Sequence, residues 1–405
     1  MSFATARRLF SIIFIMATFG AAIVNAIYQY PAFHASINSL VPPKSLNDIR
    51  YNIGIIESAA NNNVEGKPYF FDGFAYIHLL LGKKEMSDFG QVRSENGALN
   101  YGNPFPVDTG KVRQYARRVQ RLNQAAEAGG AKMIFLNPAD LVIRGLTRFE
   151  PGMPYQDLNI MQDAFLNCLR EYGVDFLDTR YSLLDNGLPL DKFAYKTDHH
   201  WTVEAAFEVF RDLVGALEDK YNAGIDPEGF YRDHNNYEFK TYPGIFVGSL
   251  GRTTGLVYSG LEDFTLIYPK FESEYTVEMI DLLQRYLRRS GPADKSIFYT
   301  AALNIRDPYM MLPYSFYLTG ISAWVKIVNH KNPDGPKLLL IHDSYSTPLA
   351  CFLAPLFSEI HMVWPLAANS IQVNQYMAEN KFDYVVLELF SANISEEGMH
   401  FFLNE

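Results

Sequence analysis

A carboxylate, two imidazoles and, far downstream, a serine are the residues of this chain whose types and spacing could do chemistry. The first three stand in Lys196-Thr197-Asp198-His199-His200-Trp201-Thr202, just before a helical pattern that begins at Val203. The serine stands in Leu338-Leu339-Leu340-Ile341-His342-Asp343-Ser344-Tyr345-Ser346, where an apolar strand pattern meets an Asp-Ser turn and then an apolar helix pattern. A serine hydroxyl is a poor nucleophile until a base takes its proton. Asp198, a histidine and Ser344 would supply acid, base and nucleophile, and a serine on a strand-to-helix turn has helical amides beside it to stabilise an oxyanion. The chemistry predicted is acyl transfer through an acyl-serine intermediate.

Between the two histidines, His200 is the better base. In an extended loop residues two apart point the same way, so Asp198 and His200 share one side and His199 faces the other. Asp198 then orients the imidazole and supports its charged form, His199 is structural or supporting, and Trp201 packs under the loop and fixes it. Donors for the oxyanion, beyond the Ser344 amide, are sought in the Gly248–Gly255 loop, where Gly248, Ser249 and Arg252 are the candidates. Asp-His-His could also ligate a divalent ion, and the DHH phosphoesterases carry that triplet. They need further aspartate motifs, and the chain has no Asp-x-Asp motif or second His/Asp cluster. No metal and no cofactor is predicted.

The Asp198-His199-His200-Trp201 run resembles the signature of the DHHW family of bacterial proteins, which are similar to the SGNH hydrolase-like domains of the alginate O-acetylation proteins. Supporting pieces are Phe246-Val247-Gly248-Ser249-Leu250, Tyr317-Leu318-Thr319-Gly320, and Asp343-Ser344-Tyr345 followed by Phe352-Leu353-Ala354-Pro355. Asp198-x-His200 matches the Asp-x-His spacing of the alginate proteins. His342 stands where many SGNH proteins have the glycine of Gly-Asp-Ser. The resemblance implies an O-acetyltransferase or acetylesterase acting on an exported or cell-surface polysaccharide, with a membrane-bound O-acyltransferase as partner. By the SGNH pattern Asn393, after the strand pattern Tyr384–Leu389, is a further oxyanion donor, although the Gly-x-Asn motif is absent. A catalytically inactive glycan-binding or assembly protein of the same fold is the alternative.

These residues need a scaffold, and the sequence pattern supplies one. Helical patterns at 111–128, 159–172 and from Thr202 to about Tyr221 alternate with short apolar runs at 132–136 and 174–178. The alternation resumes downstream with strands at 337–341, 359–363 and 384–389 and helices at 345–356 and 370–380. Strands alternating with helices of this length predict parallel βαβ units, and ligands in such sheets bind beyond the carboxyl ends of the strands, where Ser344 falls. The fold class is α/β: an SGNH hydrolase-like, flavodoxin-like three-layer sandwich with a mainly parallel sheet. Residues 231–331 interrupt the rhythm and read as an insertion. Within it 239–242, 264–268 and 275–277 favour strand, and 277–289 could equally be an amphipathic helix.

The amino-terminal third carries the rest of the plan. Arg7 and Arg8 precede a charge-free apolar run, Leu9 to Tyr28, whose twenty residues would reach about 30 Å as a helix. Basic charge before the run keeps that end in the cytoplasm. The expectation is a cytoplasmic stub (1–8), a single-pass signal anchor (9–28), a lead-in arm and loop (29–108), and an extracytoplasmic SGNH-like domain (109–405) at the cell membrane. A leader cleaved after Val24-Asn25-Ala26 is the competing reading. The aromatic segment Phe70-Phe71-Asp72-Gly73 could open the domain as a hairpin or strand, and 90–108 reads as loop. At 405 residues, 48% apolar and 20% charged, the chain has ordinary globular composition. A net charge of −10 and the lack of a basic stripe exclude nucleic acid as a partner. Cys168 and Cys351 fit no metal or redox spacing, so both are expected as buried free thiols.

Overall fold

A computed structural model describes residues 3–38, 40–62, 64, 66–103, 109–367 and 371–402, which fall into two compact units, 1–74 and 75–405. In the first unit one helix, Phe3–Ile37, runs unbroken through the apolar stretch and past Pro31. Phe10, Phe14, Phe19 and Ile27 along it are exposed. Among the described residues no helix is long and apolar enough to cross a membrane, so the anchor at 9–28 stays an expectation. A second helix, Leu46–Asn62, lies within the stretch expected as the lead-in arm. Ser45 starts it by accepting from the Asp48 amide at 3.2 Å, while the Asp48 carboxylate accepts from the Lys44 amide at 2.8 Å.

The aromatic segment at 70–73 is neither hairpin nor strand: it lies in the helix Lys67–Leu80. Ala75 and His78, three residues apart, are its buried positions, which is a helical spacing. The loop expected at 90–108 contains two short strands, Gln91–Arg93 and Leu99–Tyr101, which join Glu85–Met86 in a small antiparallel sheet. Residues 104–108 of that stretch lie outside the described ones.

The second unit is built on an eight-stranded sheet. Its strands lie in the order Phe176–Asp178, Lys132–Asn137, Tyr384–Glu388, Lys337–Ile341, Glu359–Val363, Trp324–Asn329, Tyr275–Ile280 and Tyr286–Gly291. The first five are parallel and the last three antiparallel. Side chains alternate between the two faces of each central strand. Met133, Phe135, Leu339, Ile341, Val385 and Leu387 pack with the helices Thr109–Ala128, Asn159–Glu171 and Val373–Asn380. Ile134, Leu136, Leu338, Leu340 and Val386 face the helices Val203–Tyr221 and Ser346–Leu353 instead. Helix, sheet and helix therefore make the three layers, and the sheet is mainly parallel.

The region 231–331 does two things. Strands Tyr237–Phe246 and Glu262–Pro269 form a separate antiparallel pair, while the next three strands extend the central sheet. Residues 277–289 are not a helix. Tyr275, Val277 and Met279 are buried while Thr276, Glu278 and Ile280 are half-buried, the period of a strand. The chain reverses at Asp281, whose amide meets the Arg285 carbonyl at 3.1 Å, with Gln284 at positive φ. Cys168 and Cys351 are free and buried.

Candidate active site

Strand Lys337–Ile341 ends where the chemistry begins. Leu338 to Ile341 are fully buried, and the His342 amide still pairs with the Val363 carbonyl at 3.0 Å, so the strand is held to its tip. Asp343 then ties the turn together. Its Oδ1 accepts from the Tyr345 amide at 3.0 Å, and its Oδ2 from the Phe390 amide at 2.6 Å and Asn393 Nδ2 at 2.7 Å. Ser344 follows at the carboxyl edge of the sheet, and the helix begins at Ser346. Beneath the turn, Ser346 Oγ donates to Glu388 Oε2 at 2.7 Å. Burial pushes the carboxyls of Glu388 and Asp343 up.

The second strip of the site is a tight bend, closed by the bridge Ala194–Trp201 and by the Tyr195 amide on the His200 carbonyl at 3.2 Å. Four contacts fix its inner face. The Leu99 amide donates to the Lys196 carbonyl at 2.6 Å, the Thr197 amide to Glu262 Oε1 at 2.5 Å, and the Gly251 amide to the Thr197 carbonyl at 2.9 Å. The Ser249 amide donates to Asp198 Oδ2 at 2.7 Å. Trp201 is fully buried; its indole N–H donates to the Tyr345 carbonyl at 3.1 Å and its own carbonyl accepts from the Tyr314 hydroxyl at 2.7 Å. It packs under the loop, where the sequence placed it.

The two strips meet at His200. Its Nδ1 lies 2.6 Å from Asp198 Oδ1 and its Nε2 lies 2.7 Å from Ser344 Oγ. Burial would raise the Asp198 carboxyl, but His200, His199 and the Ser249 amide outweigh it and hold it well below the ordinary carboxylate range. An ionised Asp198 keeps the proton on Nδ1, which leaves the Nε2 lone pair for the serine hydroxyl. Asp198 also accepts from the His200 amide at 3.0 Å, so a local turn rather than an extended loop brings carboxylate and imidazole together.

For the same reason His199 is not turned away. Its ring centroid lies 3.9 Å from that of His200, and its Nδ1 is 2.9 Å from Ser249 Oγ. Burial first, and then His200, push its imidazole down to about 4, so it stays neutral beside the reacting pair. The ligand atoms of Asp198, His199 and His200 lie within 4.8 Å of one another. Both His200 nitrogens and both Asp198 oxygens are already engaged by Ser344, Ser249 and each other, an arrangement that fits proton transfer better than a metal.

Three of the four oxyanion candidates have a donor committed elsewhere, Ser249 by the amide that meets Asp198. The Asn393 amide group serves Asp343, and the Gly248 amide donates to Thr197 Oγ1 at 2.8 Å. Both residues brace the catalytic strips. Arg252 differs: Nη2 donates to the Met311 carbonyl at 2.6 Å, while Nε is buried without a partner. Burial lowers the proton affinity of this guanidinium, and Asp198 and Asp307 act against it.

Sequence reasoning missed Tyr314 and Tyr345. The Tyr314 ring lies 4.6 Å from that of His200, and the Tyr345 hydroxyl donates to the His199 carbonyl. These partners are more than a hundred residues apart in the chain, and no spacing rule links them.

The fold is shared with solved proteins. A structure of Bacillus cereus PatB1 superposes with a TM-score of 0.64 at 16% identity, covering 77% of this chain and 99% of PatB1. A second, PatB1 with a sulfonyl adduct, gives 0.63 at 14%, over 77% and 97%. A DHHW family protein from Eubacterium siraeum gives 0.57 at 17%, over 78% and 95%. The resemblance read from Asp198 to Trp201 thus has a counterpart in three dimensions, and at these identities what is shared is the fold. No family model matches the chain, and no curated protein matches it.

Proposed function

We propose that the protein is a serine-dependent acyl-transfer enzyme, an O-acetyltransferase or acetylesterase of an exported or cell-surface polysaccharide. The observation that carries this reading is the unbroken chain Asp198–His200–Ser344, with links of 2.6 and 2.7 Å. Ser344 Oγ attacks the ester carbonyl carbon of the acyl donor as His200 Nε2 takes its proton. The tetrahedral intermediate collapses, the C–O bond to the leaving alcohol breaks, and His200 returns the proton to that alcohol. An acyl-Ser344 ester remains. In the second half His200 deprotonates water or a sugar hydroxyl, which attacks the acyl carbon and releases Ser344 with a proton on Oγ.

Charge on the intermediate's oxygen needs donors. The Ser344 amide at the turn and the unspent Nε of Arg252 are assigned to it. The polysaccharide acceptor and a membrane-bound O-acyltransferase as partner are implied by the DHHW resemblance. A single-pass anchor at Leu9–Tyr28, with the catalytic unit outside the cytoplasm, is supported by Arg7 and Arg8 before a charge-free helical run.

The test is an acetyl-ester assay on purified protein with and without sugar acceptors. Release of acetate that depends on Ser344 supports the reading, and acetyl appearing on the sugar identifies a transferase. No turnover of any acetyl ester, with the protein folded, would leave a non-catalytic protein of this fold.

A further inference from the structure

The helix Lys67–Leu80 is apolar almost all round, and the fold uses only one side of it. On that side Ala75 is fully buried in a cluster with Met86, Leu99, Leu250 and Tyr258, Leu79 packs beside it, and His78 Nδ1 meets the Glu85 carbonyl at 3.1 Å. The opposite side is bare. Phe70, Phe74, Ile77 and Leu81 follow one another there at spacings of four, three and four, and Tyr69, Tyr76 and Leu80 run beside them. The Leu81 amide still pairs with the Ile77 carbonyl at 3.0 Å, so the helical face extends to it. All of these side chains are exposed, from 48% at Phe74 to 81% at Tyr69.

Water is a poor solvent for a continuous face of this kind, and such faces mark interaction surfaces. Length decides against a span. The 14 residues of the helix reach about 21 Å, short of the hydrocarbon core of about 30 Å. A lipid interface suits it, because a helix there lies along the surface with its apolar side sunk below the headgroups. The charges agree. Between Lys67 and Lys83 the one charged residue is Asp72, half-buried three residues before Ala75, on the inner side. Lys67 stands at the amino end and Lys83 and Lys84 just past the carboxyl end, positions that meet anionic headgroups; Lys83 also pairs with Glu85 at 3.0 Å. In a chain of net charge −10 this basic rim is a local exception. Tyr69 and Tyr76 set rings with polar tips along one margin of the face, the kind of side chain that favours headgroup level.

We propose that the helix Lys67–Leu80 lies in the membrane interface, with its bare face among the acyl chains, and seats the unit that carries Ser344 on an anionic lipid surface. The helix is tied to the site. The Tyr258 hydroxyl donates to the Lys83 carbonyl at 3.2 Å, and Tyr258 and Leu250 belong to the segment that also carries Ser249, whose amide holds Asp198. Lipid contact at the helix therefore bears on how Ser344 is held relative to the surface. An interfacial helix binds reversibly and calls for no detergent. An anchor at Leu9–Tyr28 would keep it at high effective concentration near lipid, so its own affinity need only be modest. The proposal rests neither on that anchor nor on the acyl-transfer reading.

The experiment is spin-label EPR of the full chain with vesicles of phosphatidylcholine and phosphatidylglycerol in equal parts. Ile77→Cys and Leu81→Cys each receive a nitroxide. Cys168 and Cys351 are buried, so the label goes to the new thiol, and both labelled positions are exposed, so no core packing is lost. Power saturation compares collisions with oxygen, which concentrates in acyl chains, and with a nickel chelate, which stays in water. Both nitroxides are expected about 5–10 Å inside the headgroup boundary, relaxed by oxygen and sheltered from nickel. Relaxation by nickel at either position puts the face in water and overturns the proposal. Shelter from both reagents means that a protein surface covers the face, which overturns it as well. A third label, on Ile15→Cys within the run Leu9–Tyr28, reads the anchor separately. Immersion at Ile15 with nickel contact at Ile77 and Leu81 defeats only the interfacial helix, and the converse defeats only the anchor. Reactivity of Ser344 is independent of both, so the enzyme reading stands or falls apart from this proposal.

Discussion

Two neighbouring histidines do different work because their nitrogens have different partners. His200 has Asp198 on one side and Ser344 on the other, whereas His199 is tied to Ser249 and held neutral by burial. His200→Ala is expected to lower ester turnover by a factor of order 10²–10⁴. His199→Ala should cost less, because it removes the packing beside His200 and the bond to Ser249 but leaves the base in place; steady-state kinetics of the two proteins checks the order. Asp140 gives a prediction about pH. Burial pushes its carboxyl up to about 7, above the ordinary 3.8, so the folded state holds the proton more tightly than the unfolded one. That contribution to stability is complete below about pH 4 and is lost as pH rises through about 7. Asp140→Asn should therefore flatten the fall in melting temperature between pH 4 and 7; equal slopes in both proteins would contradict it. At this scale the sequence showed Asp198, His200 and Ser344 because two sit two residues apart and the third ends an apolar strand. Tyr314 and Tyr345 were hidden because their contacts exist only after folding, and Ser249, expected as an oxyanion donor, instead meets Asp198 and His199.

The element that decides the site's precision is the short helix Ser249–Thr254 with the glycine before it. Gly248 has φ −73°, which any residue adopts, so its requirement is for space. A Cβ there would lie 2.4 Å from the Asp198 Cβ and 2.4 Å from the Thr197 carbonyl oxygen. Gly248→Ala must push the Asp198 loop away from its clamp. Overpacking of this kind costs about 1–3 kcal/mol, and the shift should also lower kcat by at least about tenfold, since a small misplacement of the base is costly. Calorimetry together with kinetics checks both; normal turnover in a folded Gly248→Ala protein would show that the clamp does not position Asp198. Elements with one strong period were legible in sequence. The strands at 132–137, 337–341, 359–363 and 384–388 and the helices around them fall within a few residues of expectation. The misreadings lie where local composition competes with period: aromatics at 70–73 suggested strand inside a helix, and 277–289 fits both periods until the turn at Asp281 is seen.

For the whole molecule, every hydrogen bond of the candidate site among the described residues joins residues of the unit 75–405. The boundary falls inside the helix Lys67–Leu80, so a shortened chain should begin at Gly66. That chain is expected to fold, to remain in solution without detergent and to react at Ser344 as fast as the full chain. The full, unprocessed chain is expected to fractionate with membranes through Leu9–Tyr28, and detergent-free solubility of that chain would count against the anchor. The layered α/β fold was legible because the βαβ rhythm is local. The extension of the sheet by three strands from 231–331 was not, since antiparallel edges depend on partners far along the chain. The claim on which the rest depends is that Ser344 is a nucleophile activated by His200. Its most direct measurement is labelling of the full chain with a fluorophosphonate, read by intact mass and peptide mapping. One adduct per chain is predicted, on Ser344, absent in Ser344→Ala and slowed by a factor of order 10²–10⁴ in His200→Ala. A folded protein that takes no adduct, or takes it on another residue, would contradict the account.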